Sequence, residues 1–251
     1  MKFELDNFNG VTIDPSSLPP SAEELKSDIA DLLMYLDAHK KSLCWISLPI
    51  FQSEMIPLFV SAGFTFHSCL HQELTLIRQS SKSTFVPFIP THTIGAAAIV
   101  LNEANEILLV KERGTTGFKL PGGYVESGEH IQHSIQREVL EETGIESVFL
   151  SIVGFTTMHT HQFGKSNLHF ICRMKALTQE INILDAVEIE DAKWVPLTSY
   201  ILEPSNSLTD RQMVSDVAYT KGLIVTDFSG NIEPHKRAEI FVAVRSGLDA
   251  H

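Results

Sequence analysis

Three glutamates, Glu138, Glu141 and Glu142, fall within five positions of one another in the segment 123–145. On a helix of about 100° per residue, Glu138 and Glu142 lie one above the other and Glu141 lies roughly 80° away, so all three project from one side. Like charges at this spacing disfavour a helix by roughly 0.2–0.5 kcal/mol per pair. Carboxylates in the last turn also face the negative end of the helix dipole. The arrangement is therefore costly unless a positive charge binds there.

A bound divalent cation would reverse the sign of both electrostatic effects. Ligands that are all carboxylate oxygens suit Mg²⁺ or Mn²⁺ and do not suit a structural zinc ion. The alternative is a solvated acidic face, which the three glutamates taken alone do not exclude. His159 and His161 are two positions apart, the spacing of one face of a strand, but they lack the third ligand that a zinc site would need.

The residues around the glutamates form a longer pattern. This pattern resembles the signature of the Nudix hydrolases and matches it at every fixed position. Nine specified positions over 23 residues are far more specific than a short glycine-rich motif. The matching residues are Gly123, Glu129, Arg137, Glu138, Val139, Glu141, Glu142, Gly144 and Ile145.

The resemblance implies that the helix holds divalent metal ions. By position in the motif, Glu138, Glu141 and Glu142 would be the metal ligands, together with the carbonyl oxygen of Gly123. Mg²⁺ or Mn²⁺ is the expected cofactor. Hydrolysis of a diphosphate requires neutralisation of oxygens that gain charge and a water of lowered pKa, and divalent ions supply both.

Four residues are predicted to act in catalysis. Glu141 would do so as part of the metal site, and Arg137 would hold the carboxylates through its fork of donors. Glu129 would support the site from the start of the helix. A downstream glutamate often serves this superfamily as an extra ligand or general base, and Glu188 is the candidate; a solvated loop acid is the alternative.

The reaction implied by the resemblance is attack of water on one phosphorus of a nucleoside diphosphate linked to a group X. Trp45, Pro49, residues 62–64 and His67 are similar to the additional domain that precedes the Nudix domain in a plant and animal subgroup. That subgroup acts on ADP-ribose and NADH, so such dinucleotides are the expected substrates. Nucleoside triphosphates, coenzyme A and capped RNA are the alternatives. A non-catalytic nucleotide sensor or interaction protein is the alternative class.

Candidate substrate contacts lie outside the signature. Arg113, Lys119 and Lys165 are candidates for binding phosphates, and Phe118 and Phe163 are candidates for stacking on a base. Each has a simpler explanation as a surface cation or a core aromatic. The formal net charge of −12 argues against DNA or an anionic membrane as a partner.

The elements that position these residues predict an α+β fold in the 251-residue chain. Residues 1–80 read as a small α/β domain, and residues 81–92, with Pro87 and Pro90, read as a linker. By the resemblance, residues 93–251 would then form the Nudix domain, expected to be an α/β/α sandwich with a mixed sheet. A helix is predicted from Glu129 to Thr143, and Gly144 ends it. Further helices are predicted at 21–40, 52–61, 198–202 and 207–220, and strands at 11–14, 42–48, 64–77, 94–101, 107–111, 148–155, 168–174 and 192–195.

The cellular setting is inferred from what the sequence lacks. Cys44, Cys69 and Cys172 are scattered without metal spacing, which predicts buried reduced thiols in a cytoplasmic protein. The first ten residues do not resemble a signal peptide, and no apolar run is long enough to cross a bilayer. The front domain is a candidate for forming a homodimer, for covering the site or for binding another protein.

Overall fold

A computed structural model of the chain describes residues 1–6, 9–80, 85–86, 89–159, 161–162, 164–231 and 238–243. The chain divides into two compact units, Met1–Pro90 and Thr91–His251. Phe163, a predicted base contact, and Pro87, a predicted linker proline, lie outside the described residues.

The first unit is an α/β domain built on a sheet of five strands within its described residues. Its long helix begins where the hydroxyl of Ser21 accepts a hydrogen bond from the backbone N–H of Glu24 at 3.2 Å. Apolar residues at helical spacing, among them Leu25 and Ile29, are buried against the sheet. The elements are β1 (Phe3–Leu5), β2 (Gly10–Ile13), α1 (Ala22–Ala38), β3 (Leu43–Pro49), α2 (Ile56–Ser61), β4 (Thr65–Cys69) and β5 (Glu73–Gln79), with strand order β1-β2-β3-β5-β4.

Two details of this unit differ from the sequence prediction. The second helix is shorter than residues 52–61, because Ile50–Met55 is a 3-10 turn and the α-helix starts only at Ile56, with Pro57 in its first turn. The prediction that all three cysteines are buried was wrong for Cys69. Its side chain is exposed because β4 is an edge strand that pairs with β5 alone.

The second unit is an α/β/α sandwich around a mixed sheet, which confirms the predicted fold class. In the described residues eight strands form this sheet, in the order β11-β7-β6-β10-β9-β12-β13, with β8 paired to β6. Strands β6 and β10 run parallel, and the other neighbours run antiparallel. The elements are β6 (His92–Leu101), β7 (Glu106–Glu112), β8 (Gly122–Tyr124), α3 (Ile131–Thr143), β9 (Ser147–Met158), β10 (Ser166–Ala176), β11 (Ile189–Pro196), α4 (Leu197–Leu202), α5 (Leu208–Val217), β12 (Leu223–Val225) and β13 (Phe241–Ala243).

Each face of this sheet has its own core. Helix α3 covers one face with Ile135 and Val139, while α4 and α5 cover the other with Tyr200 and Val214. None of the helices in the described residues is both long and apolar enough to span a membrane.

Two differences from the sequence prediction bear on the site. The Leu-Pro-Gly-Gly segment continues into the short strand β8, and a Cβ on Gly122 would lie only 2.1 Å from the carbonyl oxygen of Ala96 on β6. Helix α3 begins at Ile131, two residues later than predicted, because a turn in which the N–H of Glu129 donates to Glu126 precedes it. That turn leaves Glu129 beside the helix and not within it.

Candidate functional site

Helix α3 is oriented by a row of buried apolar side chains, called here the apolar stripe, and it ends at a glycine. Ile135 and Val139 are fully buried, whereas Leu140 is exposed on another side. Gly144 takes a left-handed φ of 72°, and its N–H donates to the carbonyl of Leu140 at 2.7 Å. Burial of the stripe therefore decides the direction in which the glutamates of the same helix project.

Arg137 lies at the centre of the acidic cluster. Its Nε and Nη2 donate to the two oxygens of Glu129 at 2.9 and 3.0 Å. Its Nη1 donates to Oε1 of Glu138 at 2.9 Å and to Oε2 of Glu141 at 3.1 Å. The bonds from Arg137 lower the pKa of Glu129 to about 2 and raise the pKa of the guanidinium. The guanidinium of Arg137 thus connects three of the carboxylates that belong to the signature.

Glu142 is the most buried of these acids, with a side chain that is 4% exposed. Burial raises its pKa to about 8, although the backbone N–H of Gly122 donates to Oε2 at 2.8 Å and so favours the charged form. Burial also raises the pKa of Glu138, while Glu141 is exposed. Two carboxylates are therefore held where their negative charge is poorly solvated. A cation beside them would compensate the free-energy cost of this desolvation.

Gly123 lies directly against Glu138. A Cβ at position 123 would be 2.6 Å from Oε1 of that glutamate, so only glycine leaves the carboxylate its place. The described residues contain no group of three His, Cys, Asp or Glu side chains already in metal-binding geometry. Arg137 engages one oxygen each of Glu138 and Glu141, and the second oxygens are left for a cation. The oxygen-only donor set fits Mg²⁺ or Mn²⁺.

Glu188 lies close enough to act on the cluster. Its charge contributes to the raised pKa of both Glu138 and Glu142, after burial and nearer groups. The side chain is exposed, and its backbone carbonyl accepts from the N–H of Arg113 at 2.8 Å. The Nε of Arg113 donates to the carbonyl of Ala186 at 2.9 Å. Arg113 thus connects the loop after β7 to the segment that carries Glu188.

The other predicted substrate contacts, Lys119, Phe118 and Lys165, do not line one common cavity. Lys119 forms an ion pair with Glu112 and lines a cavity that also includes Gly122. Phe118 is partly buried against the core under α4 and α5, with Nζ of Lys193 3.7 Å from its ring centroid, and it lines a different cavity. Lys165 lies exposed in a turn.

Sequence reasoning missed one residue that supports α3. His130 occupies the N-cap position without a side-chain bond to the helix. The carboxylate of Glu239 instead accepts from the N–H groups of Ile131 at 2.8 Å and Gln132 at 3.2 Å. The only sequence signal was negative, since no capping residue precedes Ile131.

Comparisons with known proteins relate both units to one family. A family model described as NUDIX domain matches residues 91–217, and one described as Nudix hydrolase domain matches residues 1–79. The chain is 34% identical over 209 residues to Nudix hydrolase 8 of Arabidopsis thaliana, covering 79% of this chain but only 56% of that protein. It is 40% identical over 205 residues to nucleoside diphosphate-linked moiety X motif 6 of Xenopus laevis, covering 78% of this chain and 90% of that protein.

A solved structure, the MutT protein of Methanosarcina mazei Go1, is also similar. It is 22% identical, covers 52% of this chain and 95% of its own, and has a TM-score of 0.44.

Proposed function

The chain belongs to the Nudix hydrolase family, and we propose that it hydrolyses the diphosphate bond of a nucleoside diphosphate linked to a group X. The products are a nucleoside monophosphate and phosphorylated X. The observation that carries the proposal is the poorly solvated glutamate pair. Glu142 is buried with a pKa raised to about 8, and Glu138 is held beside it against Gly123. A divalent cation compensates this charge.

In the proposed site Glu138, Glu141, Glu142 and the carbonyl oxygen of Gly123 would hold Mg²⁺ or Mn²⁺, which would supply charge neutralisation for the phosphate oxygens and a water of lowered pKa. The protein's own contribution begins with position, because the side chains on α3 keep their places through the bonds to Arg137 and Gly122.

Two further residues complete the proposed chemistry. Glu188, whose charge acts on the glutamate cluster, accepts the proton of the attacking water. Lys119 lines the same cavity as Gly122, and its charge partly opposes the rise that burial causes in the pKa of Glu142. In this proposal its ammonium group neutralises a phosphate oxygen of the substrate.

We propose ADP-ribose and NADH-like dinucleotides as substrates. The support is the likeness of Trp45, Pro49 and His67 to the extra domain of the subgroup that acts on them. Nucleoside triphosphates, coenzyme A and capped RNA are the competing substrates. The formal net charge of −12 weighs against RNA.

A substrate panel with product identification by mass tests the proposal. The purified chain is incubated with ADP-ribose, NADH, coenzyme A, nucleoside triphosphates and capped RNA in Mg²⁺, in Mn²⁺ and in EDTA. We expect ADP-ribose to give AMP and ribose 5-phosphate with either metal and no product in EDTA. If no member of the panel is cleaved with metal, the proposed activity is contradicted and the alternative of a nucleotide sensor or interaction protein is favoured.

A further inference from the structure

A cavity of about 190 Å³ opens beside the glutamate site, on the face of the sheet that α4 and α5 cover. Gly122, whose N–H binds Glu142, is part of its wall, and so is Lys119. The cavity therefore continues directly from the place proposed for the diphosphate. Pockets for drug-sized ligands occupy roughly 300–1,000 Å³, so this one suits a single ring and not a whole dinucleotide.

Small residues on the central strand β6 make this room. Gly95 and Ala97 are two positions apart and therefore share one face of the sheet, and Ala97 is in the cavity wall. The parallel neighbour β10 places His169 opposite Gly95. A Cβ at position 95 would lie 2.5 Å from Nδ1 of His169. The imidazole occupies its place in the wall because position 95 has no side chain.

Asp210 lines the cavity from the first turn of α5. Its backbone N–H donates to the hydroxyl of Ser207, the N-cap, at 3.4 Å. In a capping box the carboxylate at this position would bind the N–H of the cap residue in return. In the part of the chain that the structure describes, Asp210 forms no such bond and no ion pair. Helix capping alone therefore does not account for the direction of its side chain.

His169 is another polar residue of the wall. Its ring forms no hydrogen bond to the described residues. Burial lowers its pKa, so at neutral pH the ring is uncharged and offers one donor and one acceptor. Asp210 and His169 line the same cavity, and the charges of Lys119 and, less strongly, Asp210 act on the ring. The same wall contains the apolar side chains of Ile171 and Met213 and the polar side chains of Thr156 and Lys119.

A ligand for this cavity has hydroxyl groups on one edge of a small ring and C–H groups elsewhere. Ribose has this character, and acidic residues accept hydrogen bonds from ribose hydroxyls in dinucleotide sites. We infer that the cavity binds a ribose of the substrate, with Asp210 accepting its vicinal hydroxyls and His169 bonding to the same edge. The inference rests on the proposed function, because the ribose is reached from the diphosphate. A phosphate on the 2′-oxygen would be repelled by Asp210.

Binding of the two product halves tests this inference without turnover. Calorimetry in Mg²⁺ compares AMP with 2′-deoxy-AMP, and ribose 5-phosphate with 2-deoxyribose 5-phosphate. We expect one ribose compound to bind about tenfold more tightly than its deoxy form, since a hydrogen bond to a charged group is lost. Asp210→Asn should remove this preference. Asp216→Asn, an exposed acid on the same helix, should keep it.

A second variant guards against a folding effect of Asp210→Asn. Gly95→Ala places a methyl group 2.5 Å from Nδ1 of His169 and should weaken binding of the same ribose compound, while its circular dichroism spectrum stays that of the wild type. Equal affinities for both pairs, or a preference that survives in Asp210→Asn, would overturn the inference. If the ribose compound binds more tightly than its deoxy form but no diphosphate is cleaved, the ribose pocket is supported and the proposed function is refuted. If a diphosphate is cleaved but the ribose and deoxy compounds bind equally, the proposed function is supported and the ribose pocket is refuted.

Discussion

At the scale of single residues, Glu142 carries the largest electrostatic cost in the site. Its folded-state pKa is about 8 against an ordinary value of 4.5, because burial removes water from the charged form. The unfolded chain ionises this group as pH rises through 4.5, whereas the folded chain resists ionisation until about pH 8. Without a cation, stability is therefore lost progressively over this window and the loss is complete above it.

We expect Glu142→Gln to be more stable than the wild type in EDTA at pH 8. A tenfold change in a protonation equilibrium is about 1.4 kcal/mol, and the gain in the free energy of unfolding should exceed that value. The gain should shrink as pH falls and disappear below pH 4.5. Urea unfolding at pH 4, 6 and 8 measures it. In saturating Mn²⁺ the wild type should be the more stable of the two proteins. A difference in the free energy of unfolding that does not depend on pH would refute this account of Glu142.

Gly123→Ala tests the close approach to Glu138. The new methyl would lie 2.6 Å from Oε1 of that glutamate, so the carboxylate must move. We expect Mn²⁺ affinity to fall about tenfold or more, as when the support of a metal ligand is lost. Manganese electron paramagnetic resonance measures the free ion. Gly154→Ala is the matched control, since a Cβ there meets no atom within 4 Å. Equal affinities of the two variants would contradict the assignment of Gly123.

The spacing in the sequence predicts which acids belong to the site, but not how each is held. Glu138, Glu141 and Glu142 follow from the signature and from helical geometry alone. The burial of Glu142 cannot be predicted in this way, because Gly122, whose N–H binds its carboxylate, belongs to a different element. The same limit applies to Asp210, which no motif singles out.

At the scale of elements, α3 depends on a residue far along the chain. Glu239 accepts hydrogen bonds from the N–H groups of both Ile131 and Gln132. Its negative charge also interacts favourably with the positive end of the helix dipole. The segment that carries it leads into β13, where Phe241 packs against the core beneath α3. The end of the described chain is therefore part of the support of the glutamate helix.

We expect Glu239→Ala to lower the free energy of unfolding by about 1 kcal/mol, the usual cost of losing a helix cap. Glu239→Gln should lose less, because its amide oxygen still accepts one of the two bonds. Urea unfolding of both variants in EDTA gives the comparison, with Glu180→Ala, a substitution of an exposed acid, as the control. If Glu239→Ala unfolds like the control, the cap has no part in the stability of α3.

Periodicity and turn residues predicted the long elements of both units, including α1, β6, β10 and α3. They missed β8, because three residues are too few to show a period, and its pairing depends on the close approach of Gly122 to β6. They also missed the cap from Glu239, since the two partners are 108 residues apart. Contacts of this kind come from tertiary packing and leave no local pattern.

At the scale of the whole molecule, the two units have separate cores. The core that contains Phe59 consists of residues of Met1–Pro90. The glutamate site consists of residues of Thr91–His251. The sequence predicted the fold of each unit, but it could not predict the cavity beside the glutamates, because β6, β10 and α5 contribute its walls.

We expect Phe59→Ala to reduce the stability of the first unit and to leave metal binding unchanged. Phe59 is fully buried, and truncation of a buried phenylalanine costs about 3–5 kcal/mol. Hydrogen exchange by mass spectrometry should show faster exchange in the elements that share this core, which are α1, α2, β2, β3 and β5, and unchanged exchange in the second unit. Manganese affinity should equal that of the wild type, and a parallel loss of affinity would show that the glutamate site depends on the first unit.

The most direct test of the central claim is the Mn²⁺-dependent rate of ADP-ribose hydrolysis in glutamine variants of the signature. Glu141→Gln and Glu142→Gln are compared with the wild type and with Glu146→Gln, an exposed acid just beyond α3. We expect both signature variants to lose at least about 100-fold in rate, the control to match the wild type, and EDTA to abolish hydrolysis. Full activity in both signature variants, or hydrolysis that persists in EDTA, would contradict the metal site proposed for these glutamates.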